Sequence, residues 1–281
     1  MRGGRHDHAD GRGHRHGAGA AAPRRRIGAR QGQQNALTLA WRNVTQLRHS
    51  PEKLMDVTLM PIVFLLLFLY VFGAAVAGST HAYLEQLLPG LVAQMAMFAT
   101  VGLGSALCQD IHKGVFDRLR SLPIARPSPL IGAALGETVR FCVVMAVLTG
   151  FGSLLGFRFH TGLLSILAAF ALAYVFYEAV CWVPIIIGLV VPTPETVQGI
   201  SFLAMLPLTF GSSVLLANTS SMPGWLQAWV KVNPVTHLAD AVRALTIGGP
   251  AATSVLYTLA WAAGIVAVAF PVAMRMYGRR V

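Results

Sequence analysis

Leu163–Val191 reads LLSILAAFALAYVFYEAVCWVPIIIGLVV, twenty-nine residues in which Glu178 carries the one charge. A helix needs about 20 predominantly apolar residues to cross the hydrocarbon core of a bilayer. The run is too long for a strand, and its apolar residues are continuous rather than spaced at the periods of an amphipathic element. It therefore predicts a membrane span, and Pro184 within it predicts a tilt or kink.

Five further runs meet the same requirement: 57–77, 90–107, 133–156, 197–217 and 252–272. The whole chain is 55% hydrophobic and 12% charged, against about 25% charged in a soluble domain. Its mean hydropathy is +0.60. A soluble chain of 281 residues needs far more polar surface to cover its core. The expected fold class is thus an all-α membrane protein of six transmembrane helices.

Before the first span lie two segments of different character. Residues 1–34 are rich in Gly, Arg and His and have almost nothing to bury, which predicts a disordered tail. The tail contributes +6 of the net +11, so the basicity belongs to one end and is no mark of a nucleic-acid-binding fold. Its four clustered histidines, His6, His8, His14 and His16, read as a solvated polar tract before they read as metal ligands. From Asn35 to His49, Leu37, Ala40, Trp41, Val44 and Leu47 recur at helical spacing opposite Arg42, Asn43, Gln46 and His49. That pattern predicts an amphipathic helix lying in the cytoplasmic interface, or else packed on another protein. The domain division is accordingly 1–34 and 35–281.

Positive charge near span ends sets orientation. The segment before the first span holds eleven Lys/Arg, the connection between the second and third holds Lys113, Arg118, Arg120 and Arg126, and the C-terminus holds Arg275, Arg279 and Arg280. The other side holds only Arg158, Lys231 and Arg243. Both termini are therefore expected in the cytoplasm, with Asn218–Ala251 external. Cys108, Cys142 and Cys181 have no disulfide or metal spacing and read as small buried hydrophobes.

Chemistry is sparse. A phosphate-binding loop needs glycines followed by Lys and Ser/Thr, and none of the three lysines, Lys53, Lys113 and Lys231, has that setting. No cofactor is expected on this chain, and ATP and magnesium, if used, belong on another. The cytoplasmic loop Cys108–Leu130 reads CQDIHKGVFDRLRSLPIARPSPL. In it Ile111, Val115, Phe116 and Leu119 form an apolar stripe flanked by Arg118 and Arg120, and Pro123 stops the helix. Apolar knobs with basic rims suit a partner's groove; the plainer reading is a helix covering lipid headgroups. Gly114 allows close backbone approach or a positive φ.

Within the spans, Gln94 and Phe98 in the second and Phe202 and Met205 in the fifth offer a mixed aromatic and thioether surface able to repack around varied ligands, or simply to pack. Glu178 shares a face with Tyr174 and Cys181, and either attracts a cationic amphiphile or is protonated and bonded to a neighbouring helix. Glu137 and Arg140, three apart, are placed to pair. Outside, Met222 and Trp225 with Trp229 read as short helices dipping into the outer interface, the two tryptophans one turn apart as an aromatic anchor.

The stretch Asp110, Lys113-Gly114, Asp117-Arg118-Leu119-Arg120-Ser121-Leu122-Pro123 resembles the cytoplasmic signature of the type-2 ABC transporter permease family. Met222-Pro223-Gly224-Trp225-Leu226, Asn233-Pro234-Val235 and Ala241-Val242-Arg243-Ala244-Leu245 resemble that family's last external loop. The nearest subgroup is the daunorubicin-resistance-type exporters. The resemblance spans 35–281 and implies a separate ATPase partner docked through the 108–123 loop, and a pair of permeases, identical or not. It also implies a pathway along the second and fifth spans, multidrug or lipid export, and residence in the bacterial cytoplasmic membrane, with no nucleic-acid partner. From another class, a proton-coupled transporter would use Glu178 as its carrier, and would be expected to show repeated halves. A lipid-modifying enzyme would cluster acids or histidines at one interface, where His237 and Asp240 are the sole external pair.

Overall fold

The computed structural model describes residues 51–113, 137–215 and 223–280, without the side chains of 51–57, 74–77 and 278–280. All belong to one unit, Leu39–Val281. The 1–34 tail, the 35–49 helix, and residues 114–136 and 216–222 lie outside the described residues.

The described residues are helical, with no strand among them. In chain order the helices are α1 (Pro51–Ala77), α2 (Thr80–His112), α3 (Thr138–Leu154), α4 (Leu163–Val190), α5 (Pro194–Phe210), α6 (Gly224–Val232), α7 (Pro234–Ile247) and α8 (Ala252–Arg280). Three of them, α2, α4 and α8, are long and apolar enough to cross a membrane. The described parts of α1 and α3 are apolar but shorter.

The fourth run forms α4, ending one residue short of the expected Val191, and α4 continues as one helix through Pro184. Others shift at their ends. The second begins ten residues early, because Ser79 caps α2 by accepting from the Ala82 N–H at 3.2 Å. The polar residues of that added stretch are accommodated, since Glu85 faces His160 at 3.7 Å and the Gln86 carbonyl accepts from Arg243. The fifth ends early, α5 stopping at Phe210 rather than reaching 217. At 33 residues α2 is about 50 Å long, well beyond a bilayer's hydrocarbon thickness.

α2 is the central element, packed against α1, α3, α4, α5 and α7. Of its apolar window 78% is buried within the protein, against 17% for α8, which leaves α8 at the periphery. α2, α4 and α8 run in the same direction. At one end His112 of α2 bonds the Pro192 carbonyl just past α4, while at the other His160, just before α4, approaches Glu85. For α8, the His160 N–H donates to the Thr246 oxygen at 3.0 Å, which sets the start of α8, six residues on, beside the start of α4, and deeper along Trp182 of α4 meets Phe270 of α8 edge-on.

Small residues set the closest approaches. A Cβ on Gly104 of α2 would lie 2.3 Å from the Pro184 carbonyl oxygen of α4, and one on Gly188 of α4 would lie 2.4 Å from the Gly104 oxygen. Helices in lipid lack the pull of the hydrophobic effect on one another and associate through this kind of tight van der Waals contact.

Candidate functional site

Two places concentrate side chains that packing alone does not require. The first is a wall of phenylalanines on α1, α2 and α5. Phe98 of α2 stacks on Phe202 of α5 at 5.7 Å and lies 6.0 Å from Phe64 of α1. Phe64 meets Phe68 at 5.8 Å, and Phe68 meets both Phe72 at 5.8 Å and Phe210 of α5 at 6.5 Å. The i, i+4, i+8 spacing of 64, 68 and 72 puts those three rings on one side of α1. Phe202 is 46% exposed, and Phe72 and Phe210 are exposed as well. Met205 and Gln94 belong to the same two helices but are buried, and among the described residues the Gln94 side-chain oxygen has no hydrogen-bond partner. Of the expected pathway residues the structure therefore joins Phe98 and Phe202, with Gln94 and Met205 behind them.

Glu178 stands elsewhere. Thr138 of α3 donates to its Oε1 at 3.4 Å, and the Thr138 hydroxyl lies 2.8 Å from that of Tyr174. Nearby, Arg140 faces Glu137 at 3.8 Å, the pairing expected from their spacing. The Arg140 guanidinium rests 3.1 Å from where Gly102 of α2 would carry a Cβ, so the glycine makes the space for it.

The second place is the end of the bundle at which α5 stops. The chain after Phe210 turns with Ser212, Ser213 and Val214 buried, and Val214 lies so close to α2 that a Cβ on Gly90 would come within 2.3 Å of its oxygen. Non-helical backbone inside a membrane protein must have its polar groups satisfied by protein. Here side chains supply the donors. Trp229 Nε1 donates to the Pro207 oxygen at 3.4 Å, Asn233 Nδ2 to those of Leu208 and Gly211 at 2.8 Å each, and the Tyr83 hydroxyl to that of Leu215 at 3.0 Å. Arg243 donates to the Ser213 and Gln86 oxygens at 3.2 Å and to Asp240 at 2.7 Å, while Ser213 donates to Asp240 at 2.8 Å. Burial pulls the pKa of the Arg243 guanidinium down from its ordinary value and Asp240 opposes that shift.

Asn233 has a further duty, accepting from the Val235 N–H at 2.9 Å as the cap of α7. Pro234 takes the first helical position, where its missing N–H costs nothing. The dipeptide thus starts α7 and closes the end of α5 together. Trp225 is 74% exposed on α6, as an anchor in an interface requires, whereas Trp229 is committed to Pro207 through its ring nitrogen. Of the docking stripe only Ile111 is described. It sits near the end of α2, half-buried and packed on this chain's own core. Gly114, Val115, Phe116, Leu119, Arg120 and Met222 lie outside the described residues.

The Asp240–Arg243 clamp was not singled out from sequence, although an acid and an arginine three apart on a helix are a signal for it. Asp240 does not work with His237, whose ring instead stacks on Tyr257 at 4.9 Å. Among the described residues no group of three or more His, Cys, Asp or Glu is placed to hold a metal.

Comparison with known proteins places these features in a lineage. The model of the ABC-2 type transporter family matches residues 34–247. A daunorubicin resistance ABC transporter permease protein of Streptomyces coeruleorubidus is 42% identical over 241 residues, covering 86% of this chain and 85% of that one. Two proteins of Mycobacterium tuberculosis also align. One, named a probable doxorubicin resistance ABC transporter permease protein, is 29% identical over 217 residues, or 76% of this chain and 78% of its own. The other, a doxorubicin resistance ABC transporter permease protein, is 26% identical over 200 residues, 66% of each.

Proposed function

Because this chain belongs to the ABC-2 type transporter family, we propose that it is the membrane-spanning permease of an ATP-driven exporter that moves amphipathic drugs, antibiotics or lipids out of a bacterial cell. The observation that carries this reading is the phenylalanine wall of α1, α2 and α5. Six rings on three helices, part covered and part open, offer a face that binds apolar bodies of varied shape without demanding one hydrogen-bond pattern. Two such permeases, facing each other, would enclose a path.

In this reading α1, α2, α3, α4, α5 and α8 are six spans of a cytoplasmic membrane protein with both termini inside. The shared direction of α2, α4 and α8 agrees with that alternation. The α5 turn with α6 and α7 is the outer end. ATP and magnesium are bound by a separate ATPase, and the 108–123 loop carries its motion into the spans.

The test is mutation of that loop. Phe116→Ala removes its largest apolar side chain, and truncation of an aromatic anchor costs on the order of 2 kcal/mol or more at an interface. Phe116→Ala and Gly114→Val are expected to abolish export and to reduce co-purification of the ATPase while membrane insertion is kept. Phe170→Ala, in a span, serves as the control for complex formation. Normal ATPase binding and normal export by both loop variants would remove the docking assignment.

A further inference from the structure

α3 and α4 meet through side chains rather than backbone. Their backbones hardly approach each other, and side chains span the gap: Phe141 of α3 reaches Tyr174 and Tyr177 of α4 with ring centroids 5.6 and 4.9 Å apart. Next to these rings is the half-buried carboxylate of Glu178, with the hydroxyls of Thr138 and Tyr174 beside it. It lies roughly at mid-length of α4, fifteen residues from Leu163 and twelve from Val190.

Among the described residues Glu178 is the charge left over. Glu137 and Arg140 face each other at 3.8 Å, and among the described residues Glu178 makes no ion pair. A carboxylate within apolar helices is costly unless a counter-charge or a proton meets it. The two hydroxyls show how the site is arranged. Each can present an oxygen lone pair, so carboxylate and hydroxyls together make an acceptor-rich cluster that suits a cation better than an anion. The Tyr174 ring adds a π face beside it.

The exposed side chains next to this cluster are apolar. Val175 of α4 is 46% exposed, and Cys142 of α3 is exposed as well. Val175 precedes Glu178 by three residues and Cys142 follows Thr138 by four, so each lies on the same helical face as the polar group it neighbours. A ligand entering sideways from the lipid meets these apolar side chains first and the carboxylate behind them. That order, apolar outside and anionic inside, is complementary to a molecule with a greasy body and a positive head.

We propose that Glu178, with Thr138 and Tyr174, forms a lateral binding subsite for the positive group of a lipophilic organic cation between α3 and α4. It is separate from the phenylalanine wall, and its ligand reaches it from the membrane rather than from water. The proposal rests on the reading of the chain as an exporter subunit. Its test, however, is equilibrium binding without ATP, so its failure leaves the Phe116 and Gly114 experiment untouched.

The full-length chain with its ATPase is placed in lipid nanodiscs, and binding of tritiated tetraphenylphosphonium is measured against empty discs. Triphenylphosphine oxide, of similar shape and no net charge, is the companion probe. Glu178→Gln is expected to weaken the cation at least tenfold and to leave the neutral probe unchanged, and Glu178→Asp is expected to recover most of the loss. Thr138→Val, which keeps the carboxylate and removes one acceptor, is expected to weaken the cation several-fold, and it decides the matter if Glu178→Gln does not fold. Equal cation binding by wild type and Glu178→Gln would overturn the proposal. So would a parallel loss of both probes, which is the mark of a packing role.

Discussion

Gly104 of α2 and Gly188 of α4 occupy each other's side-chain space: neither helix has room for a Cβ at the point where they meet. The contact joins two parallel helices. The Pro184 carbonyl of α4 lies against Gly104 at the same contact. Gly104→Ala or Gly188→Ala must push the helices apart, and overpacking of this kind costs on the order of 1–3 kcal/mol. A fall of several degrees in the melting temperature of the purified protein is expected for either one. Gly150→Ala, where nothing lies within 4 Å of the new Cβ, should melt as the wild type does or slightly higher.

The clamp at the end of α5 predicts a different pattern. Arg243→Leu leaves the Ser213 and Gln86 carbonyls without their side-chain donor and Asp240 with the Ser213 hydroxyl but without its counter-charge. Hydrogen bonds to a charged group contribute about 2 kcal/mol. Asp240 is 40% exposed, which keeps the loss below that of a fully buried pair. Arg243→Lys should not restore stability, because an ammonium cannot reach three acceptors with one planar fork. Thermal unfolding of the two variants beside wild type is the measurement.

On the phenylalanine wall, Phe202→Ala removes an exposed ring and should leave the melting temperature nearly unchanged while reducing export. Phe98→Ala should reduce both, since Phe98 is packed against the core and touches both Phe64 and Phe202. Transport assays paired with melting curves separate the two effects. Undiminished export by the double variant Phe98→Ala/Phe202→Ala would move the pathway away from this wall.

The orientation is checked by labelling. In a cysteine-free background, a membrane-impermeant maleimide added from outside should modify a cysteine placed at Ser220 and spare one placed at Ser121. The reverse pattern would invert the proposed topology.

How much of this was open to reading before the structure depended on whether a signal was local. Apolar length located α4 and its neighbours, because a span declares itself in one continuous stretch. The start of α2 was missed, because His81, Glu85 and Gln86 look like loop residues until His160 and Arg243 arrive from distant parts of the chain. For the same reason α5 was read too long. Ser212 and Ser213 sit in an apolar run, and the turn there depends on Gly90, over a hundred residues earlier, and on Asn233 and Arg243 later. Phe98 and Phe202 were legible as a pair on two helices, whereas the rings of α1 that complete the wall carry no mark distinguishing them from ordinary span residues. Glu178 was visible as a lone charge, but its attachment to α3 through Thr138 is a tertiary fact.

The side chains that close α5 have a consequence for how the protein is made. The carbonyls of Pro207, Leu208, Gly211 and Ser213 are met by Trp229, Asn233 and Arg243, all of which leave the ribosome after α5 itself. α5 is therefore made with its C-terminal end unfinished, and it is completed only when the chain through Arg243 has followed. Biogenesis at this end is obligatorily late. A nascent chain arrested before Trp229 should leave the 207–215 segment open to protease, and one arrested after α8 should not.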